Sequence, residues 1–453
     1  MHVHILGICG TFMAGIAAIA REAGHRVTGS DRGVYPPMSD QLAALGIAVV
    51  EGYEAAQLEP RPDVVVVGNV MTRGMPVIEA LLNRGIPYCS GPEWLAREVL
   101  RQRHVIALSG THGKTTTTSL VAWILTQAGL DPGFLVGGVV PDLGVSARLG
   151  RGAHFVIEAD EYDTAFFDKG AKFLHYRPRT LVINNIEFDH ADIYPDLPAI
   201  LKQFHQLVRA VPGDGRIIRR ADDANVTQLL AKGCWTTTET FTSSASVAAD
   251  FTARQADARL TIGAGAKALG STDWQLAGDY NAENAMAALL AARQAGVSFE
   301  VGLRAVAQFR GVKRRLERLG SWQGVTLYDD FAHHPTAIRR AIAAVRAQWR
   351  PQRVLVVTEP RSNTMKLGAH RAEFAEALAD ADAIWLLEPD GLQWDLAATF
   401  KSVPAARIAR GSATIVSEVA AAAKSGDAIV MMSNGGFGNL RAELVSALAA
   451  RGA

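Results

Sequence analysis

Short apolar runs and helical stretches alternate along the first hundred residues. The runs predicted as strands are VHIL, HRVTGSD, AVVEG, DVVVVGNV and IPYCS, and the stretches with helical spacing are 13–23, 39–45 and 76–84. Apolar residues that recur every three or four positions indicate a helix packed on a core, whereas short continuous apolar runs indicate buried strands. Their alternation predicts parallel strands joined by crossover helices.

A second unit begins with the apolar run HVIALSG at 104–110. A helical pattern follows, which starts at Thr115 and ends at a C-cap glycine, Gly129, and further strands are predicted at HFVIEAD and TLVINNIE. Between 235 and 276 the pattern changes to short alternating stretches, which predict a small antiparallel sheet in the same domain. A helical pattern returns in NAENAMAALLAARQAG.

The third unit has the same alternation as the first. Its predicted strands are GVTLYDDFA, RVLVVTEP, AIWLLEP and DAIVMMSNG, and its predicted helices are 335–349, 370–380, 414–424 and 439–451. A chain of 453 residues agrees with about three domains at roughly 150 residues each. We therefore predict three α/β domains: a Rossmann-like domain at 1–101, a central domain like the P-loop ATPases at 102–312, and a second Rossmann-like domain at 313–453.

The net charge and the cysteine content limit the partners and the compartment that we expect for this protein. Forty-six Lys and Arg face forty-five Asp and Glu, so a net charge of +1 favours neither nucleic acid nor an anionic membrane. The three cysteines, Cys9, Cys89 and Cys234, are too few and too far apart for a disulfide framework or a zinc site, which indicates a reducing compartment. With no signal-peptide pattern and no apolar run near the ~20 residues of a membrane span, we expect a cytoplasmic protein.

A glycine-rich loop, SGTHGKTTT, follows the strand at 104–110 and opens the next helix. Backbone N–H groups there can surround a β-phosphate, Lys114 can contact β- and γ-phosphate oxygens, and the Thr115 hydroxyl can bind Mg²⁺. The usual pattern has a glycine five residues before Gly113, where this chain has Leu108. The strand–loop–helix context is nevertheless that of a phosphate loop, and it predicts an ATP site.

Acidic side chains follow the next two predicted strands. VIEADEYD and NNIEFDH contribute Glu158, Asp160, Glu161 and Asp163, then Glu187, Asp189 and His190. Ligands gather at the carboxyl ends of parallel strands, so these groups predict a metal pocket beside the phosphate loop. For each acid alone, a solvated loop carboxylate is an equal interpretation.

An earlier glycine loop, LGICGTFMAG, lies between the first strand and the first helix. A dinucleotide fingerprint needs glycines where this chain has Cys9 and Phe12, although Asp31 stands where a ribose-binding acid would. A nicotinamide site and a site for another diphosphate both stay open on these residues.

Six separated motifs are similar, in the same order, to those of the Mur ligases, the ATP-dependent amide-forming enzymes of peptidoglycan precursor synthesis. They are GTHGKTTT, EADEYD, NNIEFDH, GDYNAENAMAAL, KRRLE and DDFAHHPTAI, and the resemblance runs nearly end to end. Three segments, LGICGTFMAG, ADEYDTAFFDKGAKFLHYRPRT and EPRSNTMK, most resemble the members that join UDP-N-acetylmuramate to the recycled tripeptide L-alanyl-γ-D-glutamyl-meso-diaminopimelate.

The resemblance implies a role for each matching residue. ATP would be bound by Gly110, Thr111, His112, Gly113, Lys114, Thr115 and Thr116, by Asn281 and Asn284 at adenine, and by Arg315 and Asp330 at phosphate and ribose. The predicted Mg²⁺ ligands are Thr115, Glu158 and His190, and the predicted catalytic residues are Lys114, Glu158 and His190. The UDP-sugar residues would be Gly7, Cys9, Gly10, Thr11, Phe12, Asp31 and Asn185, and the peptide residues Arg361, Ser362, Asn363 and Lys366.

The function implied is an ATP- and Mg²⁺-dependent ligase that forms an amide bond between UDP-N-acetylmuramate and the tripeptide through an acyl phosphate, in peptidoglycan recycling. Three alternatives stay open: a ligase that adds L-alanine, an NAD-dependent oxidoreductase that uses the first glycine loop, and a non-catalytic nucleotide switch. His333 and His334 precede Pro335 at a strand-to-helix turn, where helix capping and substrate contact are both compatible with the sequence.

Overall fold

The computed structural model describes residues 1–34 and 38–451. It contains one large sheet for each predicted unit, which confirms the three-part α/β fold. The last two residues of the predicted third domain, 452 and 453, lie outside the described residues. The domain limits at 101/102 and 312/313 stay predictions.

The N-terminal sheet has five parallel strands. They are β1 (His2–Leu6), β2 (Arg26–Asp31), β3 (Val49–Glu51), β4 (Val64–Val67) and β5 (Tyr88–Ser90). The helices are α1 (Thr11–Glu22), α2 (Met38–Ala44), α3 (Pro76–Asn83) and α4 (Gly91–Glu98), with short 3₁₀ turns at Ala55–Leu58 and Leu100–Gln102. The order β3-β2-β1-β4-β5 reverses beside β1, so LGICGTFMAG leaves the sheet at its switch point, where ligands of such sheets bind.

The central domain is built on a ten-stranded sheet. Its strands and an accompanying small hairpin are β6 (His104–Ser109), β7 (Gly133–Leu135), β8 (Ala147–Arg148), β9 (His154–Ala159), β10 (Asp163–Ala165), β11 (Asp168–Ala171), β12 (Thr180–Ile183), β13 (Arg216–Arg220), β14 (Thr238–Thr242), β15 (Phe251–Ala256), β16 (Arg259–Ala264) and β17 (Lys267–Asp273). The helices are α5 (Lys114–Gln127), α6 (Leu197–Ala210), α7 (Ala224–Ala231), α8 (Asp279–Gln294) and α9 (Phe299–Gln308), with a 3₁₀ turn at Lys172–His175.

Strand order in this sheet explains where the predicted site lies. The order is β17-β16-β15-β14-β13-β12-β6-β9-β7-β8, and β10 pairs with β11 separately. The phosphate-loop strand β6 therefore lies between the two acid-ended strands, β9 and β12, in parallel with both. The predicted antiparallel strands are present as β15 to β17, but they continue the edge of the parallel sheet through β14 and do not form a sheet of their own.

The C-terminal sheet has six strands in the order β18-β19-β23-β20-β21-β22. They are β18 (Glu317–Trp322), β19 (Val325–Asp330), β20 (Arg353–Thr358), β21 (Ala383–Leu387), β22 (Ala406–Ala409) and β23 (Asp427–Met432). The helices are α10 (Pro335–Trp349), α11 (Asn363–Lys366), α12 (Arg371–Ala377), α13 (Leu396–Phe400), α14 (Ser412–Ala422) and α15 (Leu440–Ala450). β18 and β19 form an antiparallel hairpin, and all other strand pairs are parallel.

Several helices were not predicted, among them α4, α6, α7, α9 and α11. α4 carries a readable capping signal, because the Ser90 hydroxyl accepts a 3.2 Å bond from Glu93 N–H three residues on. Gly91 and Pro92 occupy its first turn. Proline is tolerated in the first turn of a helix, where its missing N–H has no partner in any case.

Helix α1 holds the N-terminal domain against the central one. It packs on β8, and at Gly15 an added Cβ would lie 3.1 Å from the Ala147 side chain, so a small residue permits the close approach. Glu22 accepts a 2.8 Å bond from Leu149 N–H at the other end of the helix. In the described residues, 1–34 and 38–451, no helix has the length and apolar character needed to cross a bilayer.

Candidate active site

One cleft of about 980 Å³ is lined by all three domains. Eighteen of the predicted residues contribute to its wall: Cys9, Gly10, Thr11, Phe12, Thr111, His112, Gly113, Lys114, Thr115, Thr116, Glu158, Asn185, His190, Asn281, Asn284, Arg315, Asp330 and Arg361. The fold thus brings both glycine loops, the acidic strand ends and a C-terminal arginine to one place.

Two glycines shape the phosphate loop before α5. Gly110 has φ +129°, and a Cβ there would lie 2.8 Å from the Asn185 carbonyl oxygen. Gly113 has φ +82° at the N-cap of α5, and a Cβ there would overlap the Asn284 amide oxygen. Residues with a side chain rarely adopt these angles, and neither position has room for one. The loop is therefore a narrow backbone cradle at a helix N-terminus, which is the geometry that suits a phosphate.

The loop is braced from the end of β12. Asn185 Oδ1 accepts a 2.8 Å bond from His112 N–H, and Asn185 Nδ2 donates a 3.1 Å bond to His112 O. Thr111 Oγ1 accepts a 2.8 Å bond from Glu187 N–H. Asn185, predicted for the UDP-sugar, lies against the phosphate loop, and both ends of its amide are occupied there.

Lys114 lies in an acidic setting. Its Nζ is 2.8 Å from Glu161 Oε2 and 3.8 Å from Asp160 Oδ1, and the Glu161 side chain is only 2% exposed. Burial alone would lower the pKa of Lys114, but the charges of Glu161 and Asp160 raise it above its ordinary value. The side chain is therefore a fixed positive charge at the base of the cradle.

The three predicted Mg²⁺ ligands fall into two neighbouring groups. Thr115 Oγ1 donates a 3.0 Å bond to Glu158 Oε1, whereas His190 Nε2 lies 3.2 Å from Glu161 Oε1. Burial raises the pKa of Glu158, and the charge on Lys114 opposes that rise. Burial would lower the pKa of His190, but its hydrogen bond to Glu161 raises the pKa overall.

Thr115 and Glu158 suit the Mg²⁺ ion that the sequence resemblance implies. Thr115 and Glu158 present a hydroxyl and a carboxylate side by side, and oxygen donors of this kind are what Mg²⁺ takes beside a nucleotide. Asp160, Glu161 and His190 form a second group whose ligating atoms all lie within 4.8 Å of one another. The residues fit a divalent cation at the mouth of the phosphate loop.

The two predicted adenine residues bond to each other, and the predicted ribose residue Asp330 is held separately by backbone donors. Asn284 Nδ2 donates a 3.1 Å bond to Asn281 Oδ1, and Asn281 Nδ2 donates a 2.7 Å bond to Ala277 O. Asp330 accepts bonds from the N–H groups of Leu316 at 2.6 Å and Ala332 at 2.7 Å. Burial raises the pKa of Asp330 to about 6 in spite of those two donors.

Arg315 joins the C-terminal domain to the phosphate loop. Its Nη2 donates a 3.1 Å bond to Thr115 Oγ1, and its guanidinium lies 4.9 Å from the centroid of the Phe331 ring. Aromatic stacking and the hydrogen bond fix the direction of the guanidinium. A positive charge from another domain thereby reaches the place where a triphosphate would lie.

The first glycine loop is held by Asp31 from behind. Asp31 accepts bonds from Cys9 N–H at 2.8 Å, Gly33 N–H at 3.0 Å and Tyr53 OH at 3.2 Å. Gly7, with φ +77°, turns the chain out of β1, and Gly10 is the N-cap of α1. Burial and then the nearby Asp31 charge raise the pKa of the Cys9 thiol to about 11, so this cysteine is a poor nucleophile.

The predicted peptide residues lie in α11 and in the two positions before it. Ser362 caps this short helix, and Asn363 Nδ2 donates a 2.8 Å bond to Asp192 Oδ2 in the central domain. Arg361 lines the cleft, whereas Lys366 is not part of its wall and its Nζ lies near Gly391. The structure brings Arg361 to the cleft and leaves Ser362, Asn363 and Lys366 outside its wall.

Two residues of the site had no role assigned from the sequence. Glu161 pairs with both Lys114 and His190, although it was one of several acids in the predicted metal pocket. Lys172 Nζ lies 3.1 Å from Asp160 Oδ2 and 5.7 Å from the Phe12 ring centroid, so it stands between the two glycine loops. Lys172 falls inside the segment that carried the family resemblance, which is the one signal that could have found it.

Comparison with known proteins gives the class of this protein. Models of three Mur ligase domains match it in order: the "Mur ligase family, catalytic domain" at 2–103, the "Mur ligase middle domain" at 108–292 and the "Mur ligase, glutamate ligase domain" at 314–435. The chain belongs to the Mur ligase family, whose members are ATP-dependent ligases. Family membership decides against an oxidoreductase.

Individual relatives narrow the class. The chain is 50% identical to the UDP-N-acetylmuramate–L-alanyl-γ-D-glutamyl-meso-2,6-diaminoheptandioate ligase of Escherichia coli (strain K12), over 99% of this chain and 98% of that protein. It is similar to the crystal structure of a murein peptide ligase from Psychrobacter arcticus, with a TM-score of 0.76 and 43% identity over 99% of both chains. A UDP-N-acetylmuramate-alanine ligase from Thermotoga maritima shares the fold, with a TM-score of 0.82 at 22% identity over the whole of both chains.

Proposed function

We propose that this protein joins UDP-N-acetylmuramate to the tripeptide L-alanyl-γ-D-glutamyl-meso-diaminopimelate, with conversion of ATP to ADP and phosphate. The observation that carries the proposal is the single cleft in which both glycine loops meet Arg315 of the third domain. Similarity to relatives named for this activity supports the choice of substrates. The tripeptide is a fragment of peptidoglycan, so the reaction would return it to precursor synthesis.

The reaction needs two nucleotides in the cleft, which explains why two glycine loops line it. A carboxylate is a poor electrophile, and its oxygen is a poor leaving group until it carries a phosphoryl group. The lactoyl carboxylate attacks the γ-phosphorus of ATP and gives an acyl phosphate and ADP, and the tripeptide amine then displaces phosphate from the acyl carbon. The first loop holds the UDP-sugar by its diphosphate, and the second holds ATP.

Lys114 and Arg315 supply positive charge during phosphoryl transfer. Both are oriented before substrate binds, Lys114 by Glu161 and Asp160, and Arg315 by Phe331 and Thr115. Preoriented charges stabilise a transition state without the cost of reorganising solvent. Thr115 and Glu158 would hold Mg²⁺, which supplies further charge neutralisation for the phosphates when it is bound.

The third domain would recognise the peptide and keep water from the acyl phosphate. α11 is tied to the central domain through Asn363 and Thr364, which bond to Asp192 and Asp189. Arg361 then faces the cleft, where its guanidinium suits a carboxylate of the acidic tripeptide. Closure of a domain over a reactive intermediate limits its hydrolysis.

The choice of amine tests the proposal. Full-length protein, Mg²⁺, ATP and UDP-N-acetylmuramate are incubated with either the tripeptide or free L-alanine, and phosphate release and product mass are measured. We expect phosphate release and an amide product with the tripeptide, well above the level with L-alanine. Equal or greater activity with L-alanine would assign the chain to the alanine-adding branch, and no release with either amine would contradict ligase activity.

Lys114→Met is the negative control for that assay. Loss of the charged group at the phosphate loop should lower kcat by about 10²–10³-fold, the scale found when one preoriented transition-state donor is removed. Phosphate release that stays at the rate of the unchanged protein in Lys114→Met would come from a contaminating ATPase and not from this cleft. Because the buried Glu161 loses its partner in this variant, thermal unfolding checks that the fold is kept.

A further inference from the structure

A cluster of three ligating side chains lies outside the proposed Mg²⁺ site. His112 Nε2 is 3.2 Å from Glu187 Oε2, and His334 Nδ1 is 3.4 Å from the same oxygen. All three ligating atoms lie within 4.8 Å of one another. His112 comes from the phosphate loop, Glu187 from the end of β12 and His334 from the start of α10, so the cluster joins the central and C-terminal domains.

Two of the three separations match those of a tetrahedral metal site. Zinc binds imidazole nitrogen and carboxylate oxygen at about 2.0–2.2 Å, which places neighbouring ligand atoms of a tetrahedron about 3.4 Å apart. The two measured separations, 3.2 and 3.4 Å, agree with that spacing. Two histidines and one glutamate also form a known zinc ligand set that leaves a fourth position for water. Magnesium prefers oxygen donors, so the two nitrogens select a transition metal.

Neighbouring groups already orient two of the ligands. His334 Nε2 lies 3.3 Å from Phe188 O, and the tautomer that donates this bond leaves a lone pair on Nδ1. Thr336 Oγ1 donates a 2.8 Å bond to Glu187 Oε2. Such outer contacts fix the direction of metal ligands in known sites. The long 3.3 Å contact from Thr336 N–H to His334 Nδ1 is the bond that a metal would replace.

The cluster is also accessible from solvent. The Glu187 side chain is 32% exposed, and a small cavity of about 210 Å³ reaches both it and His112. An ion can therefore enter from solvent.

We propose that His112, Glu187 and His334 bind a divalent transition metal, Zn²⁺ by their donor set, and that the bound ion fastens the phosphate loop to helix α10. The site is separate from the oxygen donors of Thr115 and Glu158. Its occupation ties the C-terminal domain to the ATP loop, and zinc becomes an effector of domain closure.

X-ray absorption on the full chain tests the ligand set without any substitution. The protein is loaded with one equivalent of Zn²⁺ in excess Mg²⁺, which competes for the oxygen-rich sites. We expect the zinc to be coordinated by two imidazole nitrogens and by oxygen atoms. One imidazole is the signature of the neighbouring Asp160, Glu161 and His190 group, and either that result or failure to bind one equivalent would overturn the proposal.

A matched pair of variants locates the site. Glu187→Gln removes a ligand charge. His370→Gln changes a histidine that meets His334 edge to face, with ring centroids 4.6 Å apart, and bonds the same Phe188 carbonyl, but is not one of the three ligands. Isothermal titration with Zn²⁺ measures the affinity of each variant. Glu187→Gln should bind Zn²⁺ at least about tenfold more weakly, because loss of even a group that only orients a metal ligand costs about tenfold or more. His370→Gln should bind Zn²⁺ as tightly as the unchanged protein does.

Zn²⁺ should also raise the Tm of the unchanged protein and of His370→Gln, but not that of Glu187→Gln, because an ion that binds only the folded state stabilises it. Equal affinity for Zn²⁺ in both variants would show that the cluster is held by hydrogen bonds and does not bind the metal. If Glu187→Gln does not fold, the absorption measurement on the unchanged chain still decides the outcome.

Discussion

At the scale of single residues, Gly113 combines a backbone requirement with a steric one. Its φ of +82° disfavours any side chain, and an added Cβ would overlap Asn284 Oδ1. Gly129, at the other end of α5, has φ +75° but nothing within 4 Å of an added Cβ. The pair separates the cost of the backbone angle from the cost of the contact.

Gly113→Ala should therefore harm ATP binding and not only stability. Both Gly113→Ala and Gly129→Ala should lose about 1–2 kcal/mol of unfolding free energy from the left-handed backbone angle. Only Gly113→Ala should raise the KM for ATP, by about tenfold or more, because the contact with Asn284 deforms the cradle. Denaturant titration and initial rates measure the two effects, and an equal KM in both variants would contradict the assignment of the loop.

Asp382 gives a pH prediction far from the cleft. Its Oδ2 accepts 2.7 Å bonds from Val354 N–H and from Arg346 Nη2. Partial burial opposes the effect, but these two donors lower the pKa of Asp382 below its ordinary 3.8. A lowered folded-state pKa means that the stabilisation is present above pH 3.8 and is lost as the pH falls through the folded value.

Asp382→Asn should cost about 1 kcal/mol of unfolding free energy at pH 7, since the side chain is 35% exposed and solvent screens the pair. The difference from the unchanged protein should shrink below pH 3.8. Asp273→Asn is the control, because that side chain is 81% exposed and faces Arg259 at 3.8 Å, so its replacement should have little effect at any pH. A deficit in Asp382→Asn that stays constant down to pH 3 would refute the argument.

At the scale of elements, the short helix α11 depends on a loop of another domain. Thr364 Oγ1 donates a 2.7 Å bond to Asp189 Oδ1 and accepts a 3.1 Å bond from Ala191 N–H. A four-residue helix has little stability of its own, so these contacts fix its direction. That direction determines whether Arg361, just before the helix, faces the cleft.

Thr364→Val should raise the KM for the tripeptide several-fold and leave the KM for ATP nearly unchanged. Valine keeps the shape of threonine but removes both bonds and takes the side-chain partner from the half-buried Ala191 N–H, at about 1–3 kcal/mol. Thr399→Val is the control, since its hydroxyl bonds only within α13, to Asp395 O. Steady-state kinetics with each substrate varied in turn checks the split, and a rise in the KM for ATP alone would contradict it.

The elements also show what periodicity can reveal. Helix α10 was predicted at 335–349 and is found at Pro335–Trp349, where His334 caps it and Pro335 starts it. Both signals are local, so the sequence contains them in full. The antiparallel strands were expected in a sheet of their own, because the pattern indicates the direction of neighbouring strands but not which edge they join. β14 connects them to the parallel sheet through contacts that no short window contains.

At the scale of the whole molecule, Arg315 is the residue through which the third domain meets ATP. It belongs to the C-terminal unit by sequence, yet it donates to Thr115 across the cleft. This hydrogen bond joins the two domains at the place in the cleft where the triphosphate of ATP would lie.

Arg315→Met should raise the KM for ATP by about tenfold or more, the equivalent of losing one charged hydrogen bond at about 1.5–3 kcal/mol. The variant should fold normally, because Arg315 is half-buried between domains and not in a core. Arg318→Met, three residues on and exposed on β18, should change neither KM nor stability. Unchanged ATP kinetics in Arg315→Met would show that the third domain does not help to bind the nucleotide.

The sequence alone determined the three α/β units, both glycine loops, the acidic strand ends and the family. These follow from local causes: a two- or four-residue period, a glycine at a positive φ, and a strand that ends in carboxylates. The tertiary structure decided which partner each group has. Lys114 meets Glu161 forty-seven residues away, and His334 meets Glu187 across a domain boundary. Such pairs depend on strand order and domain packing, because many distant acids in the chain could satisfy one lysine and only the fold selects among them.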